Sequence, residues 1–410
     1  MIYVVFCYFV ILFFIARAKQ FKIASYLIGV YTFSIFFSII LYNSQSNLEY
    51  QYANLVSSIV FCVLLLFYFI PFFKKNIIIE PNSNTVFLRR FILVGRCLSI
   101  ILIIGCIFLV TKIKEALAFG LVDTRIAMYK DESVFTSYNV IEHIGHSLLK
   151  WLGGLCYTVL IMFFYAYSFI KKERTLKVLL LISSLSAIYL GLLVGGRTNL
   201  MYWVLTFIFC LVLFWSHLSK RKKKLITIVS LVTLGLLASY LIFISIGRAA
   251  VAHGGETENF LITYAGQSYL NFCYFFENLD FHQYTSYRIF PLTSSLLFGS
   301  FDLNEYRDLI LYKTGMNIGI FYTFLGDIFV DTGLGGMLLY SIVYFLIARR
   351  FMGKKLFTLS DLLILGVLYQ IPLHGLFYYS FWKTESSVSI ILIILISKYL
   401  QTNKMIRWKM

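Results

Sequence analysis

The chain is 410 residues long, 60% hydrophobic and 19% aromatic, with only 13% charged residues and a mean hydropathy of +0.82. Soluble globular domains use apolar residues for about half of their length, so this composition excludes an ordinary soluble protein and indicates a polytopic membrane protein. The formal charge of +17 would suggest a polyanion partner in a soluble chain. Here the basic residues fall in short turns between apolar runs, where anionic membrane lipids account for them and nucleic acid is not implied.

A helix needs about 20 apolar residues to cross about 30 Å of hydrocarbon. On that criterion the sequence predicts an all-α fold in one integral membrane domain, 1–410, with about eleven spans. They are placed at 1–16, 23–42, 53–72, 91–110, 151–170, 178–194, 199–215, 225–245, 329–348, 361–380 and 386–400. The first run begins at Met1 without a basic leader or a small-residue cleavage site and is expected to be retained. Alternate turns and the C-terminal tail, with Arg96 just inside the fourth span, hold 25 of the 36 Lys and Arg residues but only three of the 19 acids. This positive-inside asymmetry predicts an outer N-terminus and an inner C-terminus. Six of the seven cysteines fall in spans and Cys273 in a loop, with neither a disulfide framework nor CxxC metal spacing.

The first three spans read as lipid-facing scaffold. The first large outer loop, 111–150, opens with the amphipathic Thr111-Lys-Ile-Lys-Glu-Ala-Leu-Ala and contains Arg125, which either meets an anionic headgroup or forms a structural ion pair. His143 and His146 can share a helical face, but no third ligand is spaced to close a metal site. Between inner turns at 171–177 and 219–224, two spans form a hairpin whose outer tip is Gly195-Gly196-Arg197-Thr198. Arginine offers a planar, permanently charged fork suited to phosphate oxygens, so Arg197 is an anion-binding candidate beside the alternative of a solvated loop residue. The eighth span ends at Arg248, at about the same membrane level as Arg197.

The major outer loop, 246–328, carries Glu256 and Glu258 and then an aromatic stretch from Tyr264 to Glu277. That stretch reads as an interfacial helix or the wall of a groove, with core packing equally open. Arg288 is a candidate substrate contact or a loop-structural residue, and Arg307, among Asp302, Glu305 and Asp308, is expected to form a local ion pair. The loop closes with Asn317 to Thr323, after which Asp327 and Asp331, four apart, share a face if the ninth helix has begun. Gly333, Gly335 and Gly336 permit close helix packing. His374, with Tyr378, Tyr379, Trp382 and Lys383 around the last outer turn, is either a general acid/base or a packed interfacial histidine. The spans show few ionisable relays of the kind a pump needs, and no Gly-rich phosphate loop ending in Lys-Ser/Thr is present, which favours handling of an anionic amphiphile at the outer leaflet.

In the order and topology of Gly195-Gly196-Arg197-Thr198 opening a span, the large late outer loop, and Asn317 through Asp331-Thr-Gly333-Leu-Gly335-Gly336 leading into the next span, the chain resembles the oligosaccharide repeat unit polymerase (O-antigen polymerase, Wzy) family. The resemblance implies a fold similar to the GT-C-type polymerase and ligase superfamily. It also implies a bacterial inner-membrane glycosyltransferase that needs no metal and no cofactor. The donor would be a glycan on undecaprenyl diphosphate, the acceptor one repeat unit on the same lipid, and a polysaccharide chain-length regulator a partner. Arg197 and Arg248 would hold the diphosphate, with Arg125, Arg288, Tyr264 and Asn317 as further substrate contacts. His374, Glu256, Glu258 and Asp331 are the candidates for the base. An O-antigen ligase-type transferase, a lipid-linked oligosaccharide flippase and a nonenzymatic assembly factor are the alternatives.

Overall fold

The computed structural model describes residues 1–44, 53–75, 77–82, 84–120, 124, 138–193, 196–228, 230–231, 235, 239, 260–282, 284, 286–299, 303–381 and 383–401. In chain order its helices are α1 Ile2–Ala18, α2 Lys22–Asn43, α3 Leu55–Phe69, α4 Thr85–Phe108, α5 Val110–Phe119, α6 Val140–Leu152, α7 Cys156–Phe169 and α8 Arg174–Ser184. They continue with α9 Ser186–Leu193, α10 Thr198–Phe214, α11 Phe260–Asn278, α12 Pro291–Phe298, α13 Leu303–Thr314, α14 Thr323–Met352, α15 Leu359–His374 and α16 Thr384–Gln401. Among the described residues the strands are β1, Ile78–Ile79, and β2, Leu356–Phe357, a two-residue parallel pair.

Eight helical segments are long and apolar enough to cross a membrane: Lys22–Asn43, Leu55–Phe72, Thr85–Phe108, Val140–Phe169, Arg174–Leu193, Thr198–His217, Thr323–Met352 and Thr384–Gln401. Ile2–Ala18 and Leu359–His374 are apolar but shorter. The chain is therefore an all-α, multi-span protein, as expected, although the number of full-length spans among the described residues is eight. The expected span at 225–245 lies mostly outside those residues. The one expected at 361–380 ends at His374, because Pro372 lacks an amide donor and Gly375 follows it. A helix satisfies its own backbone, which is why apolar runs of this length fold this way in lipid. In α3, Ser57, Phe61, Leu64, Leu65 and Tyr68 are buried at helical spacing while Val56, Ile59 and Val63 form the exposed stripe.

The chain divides into two compact units. The first comprises Met1–Ile77, Gly255–Lys355 and Leu368–Ser387. Apolar contact between helices gains little over contact with lipid tails, so close packing and interhelical hydrogen bonds hold such units together. At Gly266 of α11 a Cβ would stand 2.6 Å from the Phe37 carbonyl, so α2 and α11 cross backbone to backbone. Ser34 donates from there to the Ala265 carbonyl (2.7 Å) and Ser38 to that of Gly266. Tyr31 donates to the carbonyl of Pro372 (2.8 Å), Tyr369 to that of Ile23 (2.9 Å) and Tyr344 to that of Leu368 (2.8 Å).

The second unit comprises Ile78–Gly254, Leu356–Val367 and Val388–Met410. Its α4 and α6 approach closely at Gly145, where a Cβ would meet Phe108 Cβ at 2.6 Å. Ser183 donates to Ser99 (3.0 Å) and Trp203 Nε1 to Ser184 (3.2 Å), which ties α8 to α4 and α10.

Candidate functional site

Helix α14 is one run in sequence but two helices in space. Gly333 has φ 65° and ψ −172°, a conformation open to glycine alone, and it breaks the helix after Thr332. The two halves differ in surroundings. Every residue from 321 to 331 is buried, whereas Leu334, Leu338, Leu339, Ile342, Val343, Leu346 and Ile347 form an exposed apolar stripe. From Gly333 to Arg349 the helix rises about 24 Å at 1.5 Å per residue, close to the roughly 30 Å of hydrocarbon a span must cross. With Arg349 and Arg350 marking one end of the span, the break falls near the other end rather than at its middle.

The buried half carries Asp327 and Asp331, both 0% exposed. The ninth helix has begun by these positions, so the pair shares a face as expected. Arg288, 2% exposed, reaches this face from the loop before α12. Its Nη2 forms an ion pair with Asp327 Oδ1, its Nη1 donates to Tyr322 Oη (2.6 Å), and its backbone N–H donates to Asp331 Oδ2 (2.9 Å). The remaining Asp327 oxygen accepts the Tyr379 N–H (2.6 Å). Burial alone would lower the Arg288 pKa, but the Asp327 carboxylate beside it more than offsets this and holds it above the ordinary value, so the guanidinium stays charged. Burial pushes up the phenols of Tyr306 and Tyr322, and raises Tyr379 to about 12. All three stay protonated at neutral pH.

The backbone here is strained. Of the five non-glycine residues with positive φ among those described, Tyr284 (55°), Ser286 (56°) and Thr323 (65°) lie in the loop that presents Arg288 or at the start of α14. A β-branched threonine in that region is an outlier of the kind that clusters at functional sites. The loop is held by the Tyr284 N–H donating to the Asp331 carbonyl (3.1 Å) and the Phe290 N–H donating to that of Ser286 (2.8 Å). His282 Nδ1 lies 3.3 Å from the Val330 carbonyl.

Of the residues singled out in the sequence, Arg288 and Asp331 meet directly, and two more adjoin them. His374 is fully buried at the end of α15, and the carbonyl of the next residue, Gly375, accepts the Phe324 N–H in the first turn of α14 (2.8 Å). Tyr264 stacks edge-on against Phe321 (4.9 Å) and beside Phe377 (5.6 Å), while Tyr269, Phe272 and Phe275 of the same helix are buried, which is the core-packing alternative for α11. Asn317 stands apart on an exposed turn, where its Oδ1 accepts the Gly319 N–H (2.7 Å). Arg197 belongs to the second unit, is buried, and forms the N-cap of α10. The turn before it is closed by the Gly196 N–H donating to the Gly191 carbonyl (2.7 Å). Arg125, Arg248, Glu256 and Glu258 lie outside the described residues.

Four partners escaped the sequence reading: Asp327 as the ion-pair acceptor, and Tyr306, Tyr322 and Tyr379 around it. The Asp-x-x-x-Asp spacing was the signal for the first. The local ion pair expected of Arg307 among Asp302, Glu305 and Asp308 rests in part on Asp302, which lies outside the described residues. One guanidinium, that of Arg288, thus meets Asp327 through its side chain and Asp331 through its backbone. Such a cluster can bind an anion by exchanging it for Asp327, and it holds a carboxylate, Asp331, able to take a proton. Among the described residues no three His, Cys, Asp or Glu side chains gather in a metal-binding group. The chain matches no protein-family model, no curated protein and no solved structure.

Proposed function

We propose that this chain is a membrane-embedded glycosyltransferase that extends glycans carried on a lipid diphosphate, with undecaprenyl diphosphate as the lipid. The observation that carries the reading is the buried Arg288–Asp327–Asp331 cluster at the broken end of a long apolar helix. Ionisable groups buried in a multi-span bundle are costly and are functional by default. The basic turns support an outer N-terminus, an inner C-terminus and a site at the outer leaflet of a bacterial inner membrane.

In the reaction, the acceptor hydroxyl oxygen bonds to the donor's anomeric carbon as the bond from that carbon to the diphosphate oxygen breaks. The bonding pair leaves with the diphosphate, and the hydroxyl proton passes to a carboxylate, for which Asp331 is the best-placed group. A diphosphate leaves as a stable anion and needs charge stabilisation more than a proton, which Arg288 supplies from a preorganised position. Arg197, a second buried guanidinium, is assigned the same type of contact on its chemistry. Tyr264 and Tyr378, each packed against the Phe321 ring, are assigned to sugar contact. Chain length would be set with a separate polysaccharide chain-length regulator.

The helix break favours one second reading, a flippase, because transporters bind substrates at interrupted helices. The position of Gly333 near the end of the span, rather than at its middle, weighs against it. Purified protein in vesicles, supplied with lipid-diphosphate-linked repeat units, separates the two. Longer glycans support the polymerase, a single long glycan passed to a different lipid supports a ligase-type enzyme, and transbilayer movement without lengthening supports the flippase.

A further inference from the structure

The loop that delivers Arg288 runs directly into α12, a short helix outside the membrane-spanning segments. Its outer surface is apolar: Phe290 is exposed just before it, and Leu296, Leu297 and Phe298 are 79%, 71% and 63% exposed. Three consecutive large apolar residues at such exposure are untenable in water and mark contact with lipid or with an apolar ligand. The depth of this surface can be read from its neighbour. The Phe290 ring packs 6.2 Å from that of Tyr340, which lies about 10 Å along the span from Gly333 at 1.5 Å per residue. Tyr340 in turn exchanges a hydrogen bond with Tyr379 (2.8 Å), whose backbone N–H holds Asp327.

The apolar surface and the anion-handling cluster are therefore joined by one short chain of contacts, Phe290–Tyr340–Tyr379–Asp327–Arg288. The Tyr287 hydroxyl donates to the Gly299 carbonyl (3.2 Å) and pins the far end of α12 beside the same loop. An amphiphile with a diphosphate on Arg288 would leave its hydrocarbon tail at the start of α12. We propose that the exposed face of α12, Phe290 with Leu296, Leu297 and Phe298, is the seat of the polyisoprenyl tail of the lipid-diphosphate substrate. This rests on the reading of the Arg288 cluster as the diphosphate site. It adds that the enzyme selects its substrate by lipid as well as by sugar.

Two measurements on the full chain in vesicles test this. In the first, a long-chain polyisoprenyl diphosphate with a diazirine in its tail is photolysed, and the modified peptide is identified with and without excess phosphatidylglycerol or unlabelled polyisoprenyl diphosphate. The expected result is labelling within 290–298 that only the polyisoprenyl diphosphate suppresses. Labelling elsewhere, or equal suppression by both lipids, shows that α12 touches bulk lipid and overturns the proposal even for an inactive protein. In the second, chain extension is compared for donors bearing a long and a very short isoprenyl tail. Leu296→Ser/Leu297→Ser is expected to reduce the preference for the long tail about tenfold, through lost apolar contact. Phe298→Leu, which keeps the surface apolar, should preserve most of it. An unchanged preference in an active Ser variant sinks the tail seat while leaving the polymerase reading standing. Absence of extension by the wild type with either donor sinks the polymerase reading, and the labelling result then decides the tail seat alone.

Discussion

Two buried cations in this apolar chain, Lys112 and Arg288, have surroundings that differ in kind. Lys112, 1% exposed, pairs with Glu115 one turn on (3.0 Å) and with Glu142 (3.6 Å). Glu142 is already committed to a capping box with Asn139, which starts α6, and it accepts a hydrogen bond from Thr111. The clasp joins α5 to α6 through helix-terminal groups, and among the described residues no non-glycine positive φ falls in either helix. Arg288 is held by Tyr322, Asp327 and Asp331 at the start of α14, with Asp327 held in turn by the Tyr379 N–H after α15, on a strained loop beside a helix that breaks. Burial of a charge is common to both. Partners from a separate helix are common to both as well. Among the described residues, backbone strain and a helix break accompany only the second, and they separate a helix clasp from a site.

The largest expected effect tests that separation at Arg288. Removing a preorganised donor to a leaving anion costs about 2.7–4 kcal/mol, so Arg288→Ala should lower chain extension by about a hundredfold to a thousandfold at matched membrane level. Arg288→Lys should recover little, because an ammonium cannot engage Tyr322 and Asp327 as a fork. A Lys variant with near wild-type turnover would reduce Arg288 to a source of charge.

Gly333→Ala comes next. The alanine must adopt a glycine-only backbone, at a cost on the order of 1–3 kcal/mol, with its Cβ against His282 (3.3 Å) and the Tyr284 hydroxyl (3.4 Å). Turnover should fall about tenfold with the protein still folded, since 1.4 kcal/mol is a factor of ten. A fully active alanine variant would show that the break does not position the site.

The smallest effect on activity is expected at the other cation. Lys112→Met should lower the melting temperature, because Glu142 loses a partner in its buried setting, yet leave KM for the lipid-linked substrate unchanged. A raised KM would place the Lys112 cluster in the substrate path and erase the contrast.

The spans were legible because lipid imposes length and composition on them. The expected 23–42, 53–72 and 199–215 agree with Lys22–Asn43, Leu55–Phe72 and Thr198–His217 to within two residues. The break at Gly333 was not, because a glycine next to Gly335 and Gly336 reads equally as a packing surface, and only φ separates the two. Asp327 and Asp331 were visible as a pair on one helical face. Their cation lies about forty residues upstream in a loop whose path no periodicity encodes. Tyr379 carried no signal beyond that of a headgroup-level aromatic belt, and Tyr322 carried none.

The central claim, that the Arg288–Asp327 pair serves chemistry and not only folding, is tested most directly by replacing both partners. Breaking a buried pair from one side costs about 3–5 kcal/mol, whereas replacing both by uncharged groups can be nearly neutral, and an asparagine at 327 can still accept the Tyr379 N–H. Arg288→Met/Asp327→Asn should therefore melt near the wild-type temperature in vesicles while chain extension stays below about 1% of wild type, the range set by loss of one such donor. Recovery of extension together with stability would contradict the claim and leave the pair as a structural clasp like that of Lys112.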